Sequence, residues 1–171
     1  SRKQSTYSAD IEVDATLTGK ELRQIYRVKL QPETGRIERL LVFVSEPVGD
    51  DLRWTDDASG AQLSADRLAA DDPRISRFPA SGEFWLVRLK RPVSRSTEIS
   101  ATRVTPWQER KSLPLLSLPD ATQQYGRVVL RASGVESAVP EAIGPHPTGL
   151  PFEAKDIAVS PEVGRAQAAY R

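Results

Sequence analysis

Apolar and polar residues alternate from the start of the chain. Tyr7, Ala9, Ile11, Val13, Ala15 and Leu17 take the odd positions, and Ser8, Asp10, Glu12, Asp14, Thr16 and Thr18 take the even ones. A period of two over this length predicts a strand with one face in a core and one in water. Gly19-Lys20 supplies a turn. A second alternation follows, with Leu22, Tyr26, Val28 and Leu30 on one side and Arg23, Arg27 and Lys29 on the other. Pro32-Glu33-Thr34-Gly35 reads as a tight turn, because proline presets its φ and glycine accepts a positive one. Ile37 to Val44 is then apolar on both faces at Leu40-Leu41-Val42-Phe43-Val44, the mark of a central strand. Connections this short predict an antiparallel meander of these three segments.

Further on, the elements are shorter. Leu52 to Thr55 fits a short strand, followed by a polar turn at Asp56 to Gly60. Ser64 to Ala70 is compatible with one or two helical turns capped by Ser64, ended by Asp71-Asp72-Pro73. Glu83 to Leu89 reads as a strand closed by Pro92, and Thr97 to Val104 alternates again with Ile99 and Ala101 inward. Leu113 to Leu118 is apolar, but Pro114 makes it an edge strand or a crossing segment. Tyr125 to Ala132 is the last clear strand, with Val128 and Leu130 inward. About eight strands at regular spacing predict an all-β fold, an antiparallel β-sandwich with little helix, over residues 1–134. A closed barrel is the alternative.

From Val135 to Arg171 no period survives, and prolines and glycines recur. This stretch reads as a Pro/Gly-rich extension or linker, with a short helix from Ser160 as an option. Yet it carries Ile143, Leu150, Phe152, Ile157 and Val159, more large apolar residues than a free linker holds. Docking on the domain, over an edge strand, is the expectation.

Composition excludes several functions. Basic residues number 24 and acidic residues 23, with no run of Lys and Arg, so nothing points to nucleic acid. No apolar run approaches the roughly 20 residues of a membrane helix, so no membrane insertion is expected of this segment. Cysteine is absent and His146 is the single histidine. That removes disulfides, thiolate nucleophiles and the usual zinc sites, and no cofactor is expected. Methionine is absent too, which implies a processed chain or an internal piece of a longer one.

The remaining candidates for chemistry are few. His146 lies between Pro145 and Pro147, where nothing orients a general base. No Gly-x-Ser-x-Gly elbow or glycine-rich phosphate loop occurs. Asp50-Asp51, Asp56-Asp57 and Asp71-Asp72 are acidic pairs on turns. The first two would form a weak calcium site if the segment between them closed a hairpin; otherwise they are solvated or capping carboxylates. Trp54, Trp85 and Trp107 are candidate stacking platforms for sugars. Trp85 lies in a doubly apolar strand and reads as core, which leaves Trp54 and Trp107 as possible ligand-binding residues.

Two stretches carry a resemblance. The Tyr7 to Val44 meander, and the run Ser112-Leu113-Pro114-Leu115-Leu116-Ser117-Leu118-Pro119 followed by Tyr125-Gly126-Arg127-Val128-Val129-Leu130, resemble β-sandwich modules of very large bacterial envelope proteins. The meander is also similar to the amino-terminal β domain of zinc aminopeptidases, which shapes a substrate cleft without doing the chemistry. The resemblance carries over no site residue. It implies a noncatalytic module of a larger bacterial protein, extracytoplasmic (periplasm or cell surface), with other domains of the parent or a protein as partner. A carbohydrate-binding module and an accessory β domain of an enzyme whose active site lies elsewhere in the parent are the alternatives.

Overall fold

Period-two patterning becomes strand wherever it was read. The computed structural model describes residues 5–18, 20–78, 82–106, 110–132, 135–138, 150–153 and 168–170. Long strands dominate: β1 (Thr6–Thr18), β2 (Glu21–Thr34), β3 (Ile37–Val44), β6 (Glu83–Val93), β7 (Thr97–Pro106) and β10 (Gln123–Ala132). Between them lie the short strands β4 (Arg53–Asp56), β5 (Ala65–Arg67), β8 (Arg110–Leu113) and β9 (Leu116–Ser117). After β10 come β11 (Val135–Ala138), β12 (Leu150–Glu153) and β13 (Ala168–Tyr170).

Two main sheets form an all-β sandwich. The large one runs β11-β10-β1-β2-β7-β4, with β13 also on β10, and the smaller one runs β5-β6-β3-β9. β8 and β12 make a separate pair. Odd residues of β1 and even residues of β2 point inward, as their alternation requires, with Ile11, Val13, Leu22, Tyr26, Val28 and Leu30 buried. They meet Leu40, Val42 and Val44 of β3 and Trp85 and Val87 of β6 in one cluster. The Tyr26 hydroxyl, itself buried, donates to the Pro114 carbonyl at 2.7 Å and ties the large sheet to the β8–β9 crossing.

Several expectations need correction. β3 does not continue the meander. β2 pairs with β1 and β7, while β3 pairs with β6 and β9 in the other sheet. The turn at Gly35, with φ of 68°, therefore passes the chain between layers. A short connection joins adjacent strands of one sheet only if the second strand has no stronger partner. β3, apolar on both faces, is more fully covered in the centre of the second sheet. The segment from Ser64 is not helical: Ala65–Arg67 pairs antiparallel with Val87–Trp85 of β6, and Arg88 N–H donates to the Ser64 carbonyl at 2.9 Å. An unpaired β6 edge outweighs the weak helical propensity of so short a stretch. Pro92 does not end β6. It lies in an irregularity of the β3–β6 pairing between Arg39↔Arg88 and Ile37↔Val93, where no ladder hydrogen bond is demanded of it.

One strand pair departs from antiparallel order. β1 and β10 run parallel, in register from Ser8↔Gln123 to Leu17↔Ala132. β10 enters from the second sheet through Thr122, whose N–H donates to the Tyr7 carbonyl at 2.8 Å. The stretch read as lacking regular structure contains β11, β12 and β13. Val135–Ala138 and Ala168–Tyr170 both pair with β10, and Leu150–Glu153 pairs with β8. The Ser160 segment lies outside the described residues.

A close approach fixes one glycine. A Cβ on Gly82 would stand 2.0 Å from the Val44 carbonyl oxygen, so the entry to β6 admits no side chain. The Glu83 carboxylate beyond it accepts from the Val48 N–H at 2.7 Å and faces Arg67 at 3.6 Å, anchoring the chain after β3.

Two outcomes follow from this packing. Val13→Ala removes a side chain with no exposure and should cost about 1–4 kcal/mol through lost burial and the cavity left. Glu12→Gln, on the outer face, should cost less, about 0–1 kcal/mol, since it weakens only partly exposed ion pairs. Denaturant melts in which Glu12→Gln does more damage would contradict the register. Burial also pushes the Tyr7 and Tyr26 hydroxyls well above the usual range. Their ionisation is thus easier in the unfolded chain, near the ordinary phenol value of about 10. Stability should be complete below about pH 10 and fall as pH rises above it. Phenolate absorbance from these two residues should appear only together with loss of the β circular dichroism signal.

Candidate functional site

The outer face of the large sheet is built from residues of the opposite parity to the core. Pairing sets Glu12 beside Arg27 of β2 and Arg127 of β10, and Asp14 beside Ile25 and Val129. Glu12 consequently sits between basic neighbours, and Asp14 is reached diagonally by Arg27 and Arg131. Arg127 donates through Nε and Nη2 to Glu12 Oε2, the Nε contact measuring 3.1 Å. Arg131 Nη1 donates to Asp14 Oδ1, and Arg27 Nη1 reaches Asp14 Oδ2 at 3.4 Å. Asp14 is buried under this lattice. Its charge is matched from both flanking strands, as a buried carboxylate requires.

One row toward the start of β1, that matching stops. Here Asp10 lies between Lys29 and Tyr125, and Ser8 between Gln31 and Gln123. These six residues line an open groove of about 730 Å³. Tyr125 is 46% exposed, one of two large apolar or aromatic side chains so exposed among the described residues. The side chains of Asp10, Lys29, Gln31 and Gln123 are exposed and engage no partner among the described residues. Asp10 and Lys29 are directly opposed across the β1–β2 pair yet do not close a salt bridge. Gln124, of inward parity, is spent differently: it accepts from Leu118 N–H at 2.9 Å and donates to the Leu118 carbonyl at 3.1 Å. This pair of hydrogen bonds fixes the segment that leads into the groove.

Chemically, the groove offers an aromatic face, a carboxylate, an ammonium and two primary amides on rigid strands. Such a set recognises a polar ligand; amides and carboxylates take paired hydroxyls, and a ring stacks on apolar patches. A floor of hydrogen-bonded strand fixes the spacing of these groups before any ligand arrives.

The residues singled out from sequence fall elsewhere. Trp54 is 2% exposed and packs in the main core, so its ring serves packing and shows no face to solvent. Trp85 is buried in the same cluster. Trp107 and His146 lie outside the described residues. The acidic pairs do not converge. Arg53–Asp56 pairs with β7 instead of closing a hairpin between them. Asp56 accepts from Ser59 N–H and Oγ, Asp57 accepts from Ser100 Oγ, and Asp72 caps the turn at Pro73 by accepting from Arg74 N–H. Among the described residues no three Asp, Glu or His gather as a metal site.

The groove itself was not found from sequence. Each member reads as an ordinary exposed strand residue, and only the β1–β10 pairing, between segments more than a hundred residues apart, brings Tyr125 to Asp10.

No family model matches this sequence, and no curated protein matches it. Among solved structures, the chain is similar to leukotriene A4 hydrolase from Saccharomyces cerevisiae, with a TM-score of 0.42 and 5% identity over 75% of this chain and 24% of that one. It is also similar to an M1 zinc metallopeptidase from Deinococcus radiodurans, with a TM-score of 0.38 and 10% identity over 75% of this chain and 33% of that one. This chain spans about a quarter to a third of the length of the structures it matches.

The dispersal of the acidic turns gives a direct expectation. Millimolar calcium should leave the melting temperature unchanged. A rise on addition, reversed by a chelator, would show that the carboxylates gather after all.

Proposed function

We propose that this chain is a noncatalytic interaction module of a larger bacterial cell-envelope protein, facing the periplasm or the cell surface. Its contact surface is the groove on the outer face of the large sheet. The single observation carrying this reading is the juxtaposition of Tyr125, Asp10, Lys29, Gln31 and Gln123 there, exposed and on regular strands. Elsewhere on the same face, the glutamate and aspartate of β1 are matched by arginines. Unmatched polar groups beside an exposed aromatic are what a recognition surface requires, since the partner supplies the missing hydrogen bonds. The partner is another domain of the parent chain or a separate protein. An accessory role beside an enzyme active site elsewhere in the parent is the same docking reading in a different setting.

A second reading is favoured by Tyr125 specifically. An exposed tyrosine beside amides and a carboxylate also suits a glycan, with the ring stacked on the sugar and the polar groups taking its hydroxyls. Here Tyr125 takes the place expected of Trp54, which is buried.

Hydrogen exchange tests the first reading, comparing the isolated chain with the same segment inside the parent protein. Protection around residues 8–10, 29–31 and 121–125 should increase in the parent and be lost with Tyr125→Ala. No change in that region overturns docking at the groove. Glycan array screening of the isolated chain separates the second reading. Binding abolished by Tyr125→Ala would assign the groove to sugar, and a blank array would leave it to protein.

A further inference from the structure

The second sheet carries its own unmatched charge. On its outer face, Arg39 of β3 and Arg88 of β6 stand directly opposite each other. Both are exposed, and neither side chain has an ionic or hydrogen-bonding partner among the described residues. Like charges directly across a strand pair destabilise it. A sheet that keeps two arginines in that relation gives up stability that a neutral or acidic residue at either position would restore.

Arg39 also lines an open cavity of about 560 Å³ with Arg74 and Arg77. The floor is apolar, made by Leu41 and Leu86 of the next row. These arginines come from two segments, and Arg74 and Arg77 are held in place. Asp72 accepts from Arg74 Nε at 3.0 Å and Nη2 at 2.7 Å. Those bonds hold the Asp72 carboxyl down at about 2, so the pair stays ionised at any ordinary pH. Arg77 donates to Asp120 at 2.8 Å, and its guanidinium lies 4.7 Å from the centre of the Phe78 ring. Phe78 in turn stacks on Phe84 of β6, with centroids 5.6 Å apart. The segment carrying Arg74 and Arg77 is clamped by its own small apolar cluster of Leu41, Phe43, Ile75 and Phe84.

A guanidinium fork bound on one edge keeps N–H donors on the other. Arg74 and Arg77 each leave donors free of their carboxylates, and Arg39 leaves its whole fork. Three lining arginines against Asp120 and the Asp72 paired to Arg74 give the site a net positive charge, one more positive than negative. Planar forks of this kind match tetrahedral oxyanions in geometry as well as charge. Leu41 and Leu86 add an apolar surface beneath, which a bare inorganic ion would leave uncovered.

We propose that the Arg39–Arg74–Arg77 cavity on the outer face of the second sheet binds an organic oxyanion, a phosphate monoester or a sulfate ester. The anionic group lies among the guanidinium forks and the organic part on Leu41 and Leu86. Arg88 adds charge from beside Arg39. This site is on the opposite layer from the Tyr125 groove and does not depend on it.

The test is titration of the full chain with phenyl phosphate, phenyl sulfate and inorganic phosphate, followed by arginine side-chain NMR at low salt. Saturable binding of a phenyl ester, tighter than inorganic phosphate, is expected. The ester that binds tighter identifies the class. Arg39→Gln should weaken binding about tenfold or more, whereas Arg53→Gln, an exposed arginine of β4 on the other sheet, and Tyr125→Ala should leave it unchanged. Because Arg39→Gln also relieves the repulsion with Arg88, its melting temperature should hold or rise while binding is lost. A purely structural arginine gives the reverse. The proposal is overturned if neither ester saturates by about 10 mM, an affinity too weak to be a built site. It is equally overturned if Arg53→Gln weakens binding as much as Arg39→Gln, which is the mark of nonspecific ion pairing.

Discussion

Strand β1 is hydrogen-bonded on both sides over most of its length, to β2 antiparallel and to β10 parallel. The rest of the large sheet is arranged around that double pairing. A strand in this position must satisfy each face separately, because its backbone is already committed. The inner face does so with Tyr7, Ala9, Ile11, Val13 and Ala15, all buried. Its outer face carries acids, which is costly in the middle of a sheet unless basic residues arrive from both neighbours. Arg27 comes from β2, and Arg127 and Arg131 come from β10. β10 thus supplies hydrogen bonds to the backbone of β1 and counter-charge to its side chains in one register.

The same register decides where the face is left open. Moving from Glu12 to Asp10 replaces Arg127 with Tyr125 as the β10 neighbour and Arg27 with Lys29 as the β2 neighbour. The carboxylate there gains an aromatic ring instead of a guanidinium, and the ion lattice gives way to the groove. On the second sheet the change runs in the opposite direction. There the rows go from Phe43/Phe84 through Leu41/Leu86 to Arg39/Arg88. The apolar rows are covered by the segment bearing Ile75 and Phe78, and the cavity opens where that cover ends.

Much of this was legible in the sequence, and the failures have a common cause. Alternation placed β1, β2, β7 and β10 correctly, because a one-sided strand shows its buried face at every second residue. Leu113 to Leu118 was readable too, since Pro114 forces a break between β8 and β9. What alternation cannot carry is partner choice. β3 looks the same whether it pairs with β2 or β6, and Ala65–Arg67 is too short to announce a strand without the β6 edge beside it. The groove was hidden for the same reason, because Asp10 and Tyr125 become neighbours only through the parallel pairing. Trp54 shows a further limit. A tryptophan in a four-residue strand has no alternation long enough to fix its parity, and this one faces the core at 2% exposure.

Sheet edges are where strand proteins ordinarily meet other chains, by adding a strand. Here the terminal strands are poor templates. β1 and β2 are paired on both sides over most of their length, and β3, β6 and β7 are covered on their second side over two, three and four residues. At the edges of the second sheet stand β5, three residues long, and β9, only two. The large sheet ends in the four-residue β4 on one side. On the other side, the free edge of β10 is taken by β11 and β13, four and three residues long. A two- to four-residue edge offers few backbone groups to a partner, so strand addition gains little there. The exposed faces offer more: side chains spaced by the pleat, fixed by hydrogen-bonded strands beneath, with functional groups left unmatched at defined positions.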